Sequence, residues 1–199
     1  MKFFKKLFNL KDTSSEEAKK KEGASDSDNL SIDELFVRSF ISKGGKFLYC
    51  SDENELKQNL SQILKENKWN NVICFDEELL KLLSEINSAK TSDFITNLPF
   101  FTCCETLVSR DGGIMFSTKQ LRDKKLKDLP NNFIVYAKTS QIVKTMGEGV
   151  SSVRSRAKKN TPTIVSSIKD YLPNKSDTDF MSYGNTNAKT LYLLLLEDL

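Results

Sequence analysis

The stretch KFLYCSDENELKQNLSQILKENKWNNVICFDEELLKLLSEI, residues 46–86, decides the fold class. It opens on a short apolar run, KFLYC (46–50). Asp52 follows, placed to cap a helix that reaches about Asn67, because a short acidic side chain accepts from the free N–H groups of a first turn. Leu56, Leu60, Ile63 and Leu64 then recur on one face of that helix. Asn70-Asn71 turns the chain into a second apolar run, NVICF (71–75), and Asp76 opens a second helix with Leu79, Leu80, Leu82, Leu83 and Ile86 turned inward. Neither run alternates apolar with polar. Strands that read this way are buried on both faces, and helices between them carry the chain back to start the next strand in the same direction. The reading is an α/β fold, a mostly parallel sheet flanked by helices.

Working outward, Ser31 and Glu34 form a capping-box pattern ahead of a helix carrying Leu35, Phe36, Phe40 and Ile41, which Gly44-Gly45 ends. Downstream, 87–99 reads as weakly structured. GIMFS (113–117), NFIVYA (132–137), TPTIVS (161–166) and TLYLLLL (190–196) read as strands. A helix is expected from about Ser140 to Lys158, with Ile142, Val143, Met146, Val150, Val153 and Ala157 at helical spacing; Gly147 and Gly149 weaken it by about 1 kcal/mol each. The sequence shows no internal repeat, and residues 30–199 are expected to form one domain.

Two segments precede it. Residues 12–29 (DTSSEEAKKKEGASDSDN) hold no large apolar side chain and cannot bury enough surface to offset ordering, so they read as a polar linker. Residues 1–11 (MKFFKKLFNLK) place Phe3, Phe4, Leu7 and Phe8 on one helical face, with Lys2, Lys5 and Lys6 opposite. That segment suits weak contact with an anionic membrane surface, or docking on this domain or on a partner.

Composition narrows the chemistry. Of 199 residues, 38% are hydrophobic and 29% charged, and the net charge of +3 provides no whole-molecule field for gripping nucleic acid. The basic group Arg154, Arg156, Lys158 and Lys159 is accounted for by the end of a helix, where cations complement the dipole. There is no histidine, which removes His-paired nucleophiles and His-ligated metals. Cys50, Cys74, Cys103 and Cys104 lack metal-site spacing and read as buried thiols. No cofactor or metal is expected. No run is long and apolar enough to span a bilayer, and no signal-peptide pattern opens the chain, so a cytoplasmic setting is expected, with the membrane surface as an option through residues 1–11.

Open parallel sheets bind ligands beyond the carboxyl ends of their strands. The residues following the strands therefore matter: Asp76, Glu77 and Glu78; Thr118, Lys119 and Gln120; Lys138, Thr139 and Ser140. Arg110-Asp111-Gly112-Gly113 is a turn feeding a strand, where glycine lets a backbone approach a ligand, or supplies a positive φ in an ordinary turn. Arg110, Asp111, Gly112, Gly113, Lys119, Lys138, Thr139 and Ser140 are the candidate small-anion residues. A single site requires Arg110, Lys119 and Lys138 to converge. No catalytic residue is assigned: Glu105 reads as a capping or surface carboxylate, Gly147-Glu148-Gly149 lacks a dinucleotide fingerprint, and no P-loop is present.

Phe101 to Ile168 resembles the LUD domain of the lactate-utilisation protein C family. The resemblance rests on an ordered set: Cys104-Glu105-Thr106-Leu107-Val108-Ser109-Arg110-Asp111-Gly112-Gly113-Ile114-Met115-Phe116-Ser117, then Leu129-Pro130 before the apolar run Phe133 to Ala137, then Thr139 to Val143, and a last strand ending in an acid, Leu191 to Asp198. It implies a fold similar to ribose-phosphate isomerase, glucosamine-phosphate deaminase and CoA transferases (NagB/RpiA/CoA-transferase-like), and a setting in lactate oxidation beside iron–sulfur partner proteins. Asp111-Gly112-Gly113 stands where the family has Thr-Gly-Thr or Thr-Gly-Ser. Ser166 to Tyr171 stands where it has a glycine-rich anion signature, and Tyr183 to Asn187 where it has a His-Gly-Pro turn. These departures point to a divergent member. Three functions follow as expectations: a non-catalytic accessory or small-anion-binding protein of organic-acid metabolism; an enzyme or sensor of a hydroxy acid, sugar phosphate or CoA ester; or an adaptor recruited to a membrane surface.

Overall fold

The structure, a computed structural model, describes residues 30–156, 164–172 and 187–198. The expected segments 1–11 and 12–29 lie outside the described residues, as do Lys158, Lys159 and residues 161–163.

Helix α1 (Ile32–Ser42) starts at the expected capping box: Ser31 Oγ accepts from Glu34 N at 3.2 Å, and Glu34 Oε2 accepts from Ser31 N at 3.0 Å. It buries Phe36, Val37 and Phe40 and turns through Lys43–Gly45 into β1 (Lys46–Cys50). Helix α2 (Glu53–Glu66) is capped by Asp52, β2 covers Asn71–Cys74, and α3 (Glu77–Glu85) is capped by Asp76. In each cap the aspartate carboxylate receives two first-turn N–H groups, the bonds those donors would otherwise lack. Then follow β3 (Ala89–Thr91), β4 (Phe100–Cys103), β5 (Thr106–Val108), β6 (Gly113–Ser117), β7 (Asn132–Lys138), β8 (Ile142–Val143), α4 (Met146–Arg156), β9 (Val165–Ile168) and β10 (Thr190–Leu196).

The expected α/β fold is present. β1, β10, β7, β4, β2 and β3 form a six-stranded sheet in that order, parallel throughout. Helices α2 and α3 cover one face over a core of Leu56, Leu60, Val72, Leu79, Phe101, Ile134 and Leu194. The other face departs from the reading. It is covered by α1 and by a second, four-stranded sheet, β8-β5-β6-β9, whose β5–β6 and β6–β9 pairs are antiparallel. Phe36, Phe40, Leu107, Ile114, Phe116, Phe133, Val135 and Leu193 fill that core.

Several boundaries are corrected accordingly. GIMFS is a strand, but of the second sheet. Ile142-Val143 continues β5's edge as β8, and the helix begins only at Met146, because Gln141 spends its side-chain amide on Cys104 O and Glu105 O and holds the chain extended beside β5. β9 covers Val165–Ile168 and so runs two residues past the expected end at 166, while residues 161–163 of the expected strand lie outside the described residues. The stretch 87–99 contains β3, and β4 and β5 are strands the sequence reading passed over; their apolar runs of three or four residues are too short to show a period.

Candidate functional site

All six parallel strands end at one edge, so the segments leaving β1, β2, β4, β7 and β10 gather there. Two clefts open at this edge, one on each face.

The first, about 350 Å³, lies between α2 and α3 and is lined by residues that include Glu53, Lys57, Leu79, Leu82, Tyr136 and Lys138. The Tyr136 phenol is half-buried at its floor, and burial, reinforced by Cys103 and the Glu78 and Glu53 carboxylates, pushes its pKa to about 12. The second, about 190 Å³, lies on the other face between the ends of β2 and β4 and the turn after β6. Phe75, Asp76, Phe100, Thr102, Glu105, Lys119, Gln120 and Arg122 are among its lining residues. Its carboxylates are engaged: Asp76 caps α3, and Glu105 meets Arg156 at 3.5 Å. Arg122 lies over the Phe75 ring at 4.9 Å, and neither it nor Lys119 forms an ion pair among the described residues.

The expected residues divide among three places. Lys138 lines the first cleft and Lys119 the second. Thr139 and Ser140 hold the chain's own Asp198: its Oδ1 accepts from Thr139 Oγ1 and Ser140 N, each at 2.9 Å, and its Oδ2 accepts from Ser140 Oγ at 2.7 Å. Burial raises the Asp198 pKa, but the bonds from Ser140 and Thr139, with Lys138 nearby, outweigh it and hold the carboxyl below its ordinary value.

The Arg110–Gly113 turn stands at the opposite, amino end of the sheet. Lys43, just before β1, donates to Asp111 O, and Tyr171 Oη donates to Gly112 O at 2.7 Å. Tyr171 N in turn bonds Lys43 O, and Lys189, just before β10, donates its N–H to Asp170 O. The turn is internally occupied as well, since Asp111 accepts from Gly113 N and pairs with Lys169 at 2.6 Å. Arg110 is exposed beside it. The reason is topological: β5 leaves the carboxyl edge and runs back, so the β5–β6 turn falls at the far end from Lys119 and Lys138. The three cations therefore do not line one cavity.

Arg122, Tyr136 and Asp198 were not singled out as site residues from the sequence. Asp198 carried a visible signal, an acid two residues past an apolar strand. Tyr136 and Arg122 carried none, because the strand face and the loop path that bring them to the clefts are tertiary. The described cysteines are free, and no group of three or more Cys, Asp or Glu among the described residues could hold a metal ion. Among the same residues no helix is long and apolar enough to cross a membrane.

With the sheet order and the second sheet placed, the architecture can be compared. The chain has the fold of a DUF162 family protein. The solved structure in question, from Deinococcus radiodurans, is similar over 85% of this chain and 99% of its own, with a TM-score of 0.58 at 16% identity. Ribose 5-phosphate isomerase A from Methanocaldococcus jannaschii is similar over 59% of this chain and 58% of its own, at a TM-score of 0.32 and 14% identity. No family model matches the chain, and no curated protein sequence does.

Proposed function

We propose that the chain is a divergent LUD-family protein that acts as a non-catalytic accessory subunit in organic-acid metabolism and holds a small organic anion against Lys119 and Arg122. The observation that carries the reading is the second cleft, where these two cations stand without an acidic partner among the described residues, beside the half-buried amide of Gln120. Its size selects among the candidate ligands. A cleft of about 190 Å³ falls below the roughly 300–1,000 Å³ of pockets for drug-sized ligands and suits a small acid. A CoA ester exceeds it. Family membership is supported by the ordered residues of 104–117, 129–137 and 139–143 together with the shared fold. The absence of histidine and the engagement of Thr139 and Ser140 by Asp198 favour binding over catalysis. In this reading, electron transfer belongs to iron–sulfur partner proteins and this chain supplies recognition.

Thermal unfolding tests the proposal. L-Lactate or pyruvate at 100 times its dissociation constant is expected to stabilise the fold by about 2.7 kcal/mol. Lys119→Ala with Arg122→Ala is expected to abolish that shift while leaving the unliganded melting temperature nearly unchanged, since both side chains are exposed. No shift for either acid with the unaltered chain, or an equal shift in the double variant, overturns it.

A further inference from the structure

The amino end of the large sheet carries a hollow that the two clefts do not touch. β2 and β3 lie in register there, Asn71 opposite Ala89, so the turns that lead into them from α2 and α3 stand side by side. Each helix ends in the same way. Lys68 N and Trp69 N bond back to Lys65 O and Leu64 O, and Asn87 N and Ser88 N to Ser84 O and Leu83 O. This paired bonding closes a helix through one left-handed residue, ordinarily glycine and sometimes asparagine. Here the left-handed positions hold Lys68, at φ +56°, and Asn87, at φ +54°. Asparagine tolerates that conformation; lysine adopts it only at a cost in stability. Helix dipoles favour cations at these ends, but any lysine in the last turn would serve them, and they do not account for one held in the glycine position.

The hollow between the two turns has a volume of about 440 Å³, inside the roughly 300–1,000 Å³ range of small-molecule sites. Lys65, Lys68, Trp69, Asn70, Ile86 and Asn87 are among the residues that line it, and no carboxylate does. Among the described residues, the side chains of Lys65, Lys68, Asn70 and Asn87 form no hydrogen bond or ion pair, and the Trp69 indole N–H has no acceptor. Trp69 is half-buried, and Tyr192 meets it in a T-shaped contact at 5.9 Å, with no described ring stacked on its face. The helix ends oppose an anion only weakly, because the carbonyls of Leu64, Lys65, Leu83 and Ser84 already accept bonds. We infer that this hollow binds a small phosphate ester that carries a flat heterocycle, the chemistry of a nucleotide. Lys65 and Lys68 take the phosphate, the ring stacks on Trp69, and the Asn70 and Asn87 amides bond its polar edge.

Trp69 is the only tryptophan in the sequence, so its fluorescence reads this hollow directly. Titrating the full chain with ADP is expected to quench it saturably. Adenosine or inorganic phosphate alone is expected to need at least about tenfold higher concentration, because each makes only part of the contacts. Lys68→Gly is expected to raise the melting temperature by about 2–4 °C as the left-handed strain is relieved, and to weaken ADP about tenfold as a charge-assisted bond is lost. Lys65→Ala is expected to weaken ADP about as much. Lys119→Ala with Arg122→Ala is expected to leave the quenching intact, since those side chains line the cleft at the other end of the sheet. Absence of quenching by ADP overturns the inference. So does quenching that survives both Lys65→Ala and Lys68→Gly, or that vanishes in the Lys119 and Arg122 variant. Inorganic phosphate acting at the same concentrations as ADP marks a plain anion site and overturns it too.

Discussion

Gly112 holds φ at +62°, and a Cβ there would stand 2.6 Å from Phe40 N, a backbone atom that cannot yield. The β5–β6 turn thus seats itself on the backbone of α1, and this glycine is fixed by packing as well as by its turn. Gly149 is fixed by packing alone. Its missing Cβ leaves room for Met115 Sδ and Thr106 Oγ1, at 2.7 and 2.8 Å from the site it would occupy, and so lets α4 close on the second sheet. Gly147, two residues earlier, has only Thr145 Oγ1 near that position, at 3.9 Å. Urea unfolding should separate the three. Gly112→Ala is expected to cost about 2–4 kcal/mol, and Gly149→Ala about 1–3 kcal/mol. Gly147→Ala should gain about 0.5 kcal/mol from helix propensity. Equal effects at Gly147 and Gly149 would contradict the packing of α4. From the sequence both α4 glycines read as the same helix-weakening residue, because propensity does not know which face a neighbour approaches.

The strand end and short turn around Asp198 act as one element. Asp198 ties the end of β10 to the 3-10 turn Thr139–Gln141 that follows β7, so adjacent central strands are pinned beyond their ladder. Its carboxyl titrates below its unfolded value, so the fold binds the anion preferentially. That contribution is complete above the ordinary aspartate pKa, about 3.9, and is lost as pH falls through the lower folded value. The residue is exposed, so the effect is modest. Asp198→Asn is expected to cost about 1 kcal/mol at pH 7, and the variant and native melting curves should approach one another as pH drops from 5 toward 2. A gap that stays constant across that range would rule out the charge as its source. At this scale the reading of 46–86 matched closely, because α2 and α3 carry their own caps and apolar stripes. At Thr139–Val143 it did not, because a helical period was allowed to run through residues that Gln141 and β5 hold extended.

Across the whole molecule, two cores on either side of the parallel sheet sequester the thiols. Burial pushes Cys50 and Cys74 to about 11 and Cys103 to about 12, and drives Cys104 well above its ordinary value. A thiol of pKa 11 is ionised in about one molecule per thousand at pH 8, and the thiolate is the reacting species. The native chain is expected to resist iodoacetamide at pH 8, while all four cysteines alkylate in 8 M urea; mass spectrometry reads the count. Rapid alkylation of the native chain at Cys50 or Cys74 would contradict the burial of β1 and β2.

By itself, the sequence determined the direction of the large sheet, the capped helices on one of its faces and the residue types at the strand ends. Each of these is written in local period and local capping, which depend on neighbours within a turn or two. Tertiary structure alone decided that the chain after β4 leaves the parallel sheet to build a second one. It thereby carried the Arg110–Gly113 turn away from Lys119 and Lys138, gave Thr139 and Ser140 to Asp198, and brought Arg122 beside Lys119. Those outcomes turn on strand order and on contacts up to 68 residues apart, and no local periodicity encodes which of two sheets a short apolar strand will join.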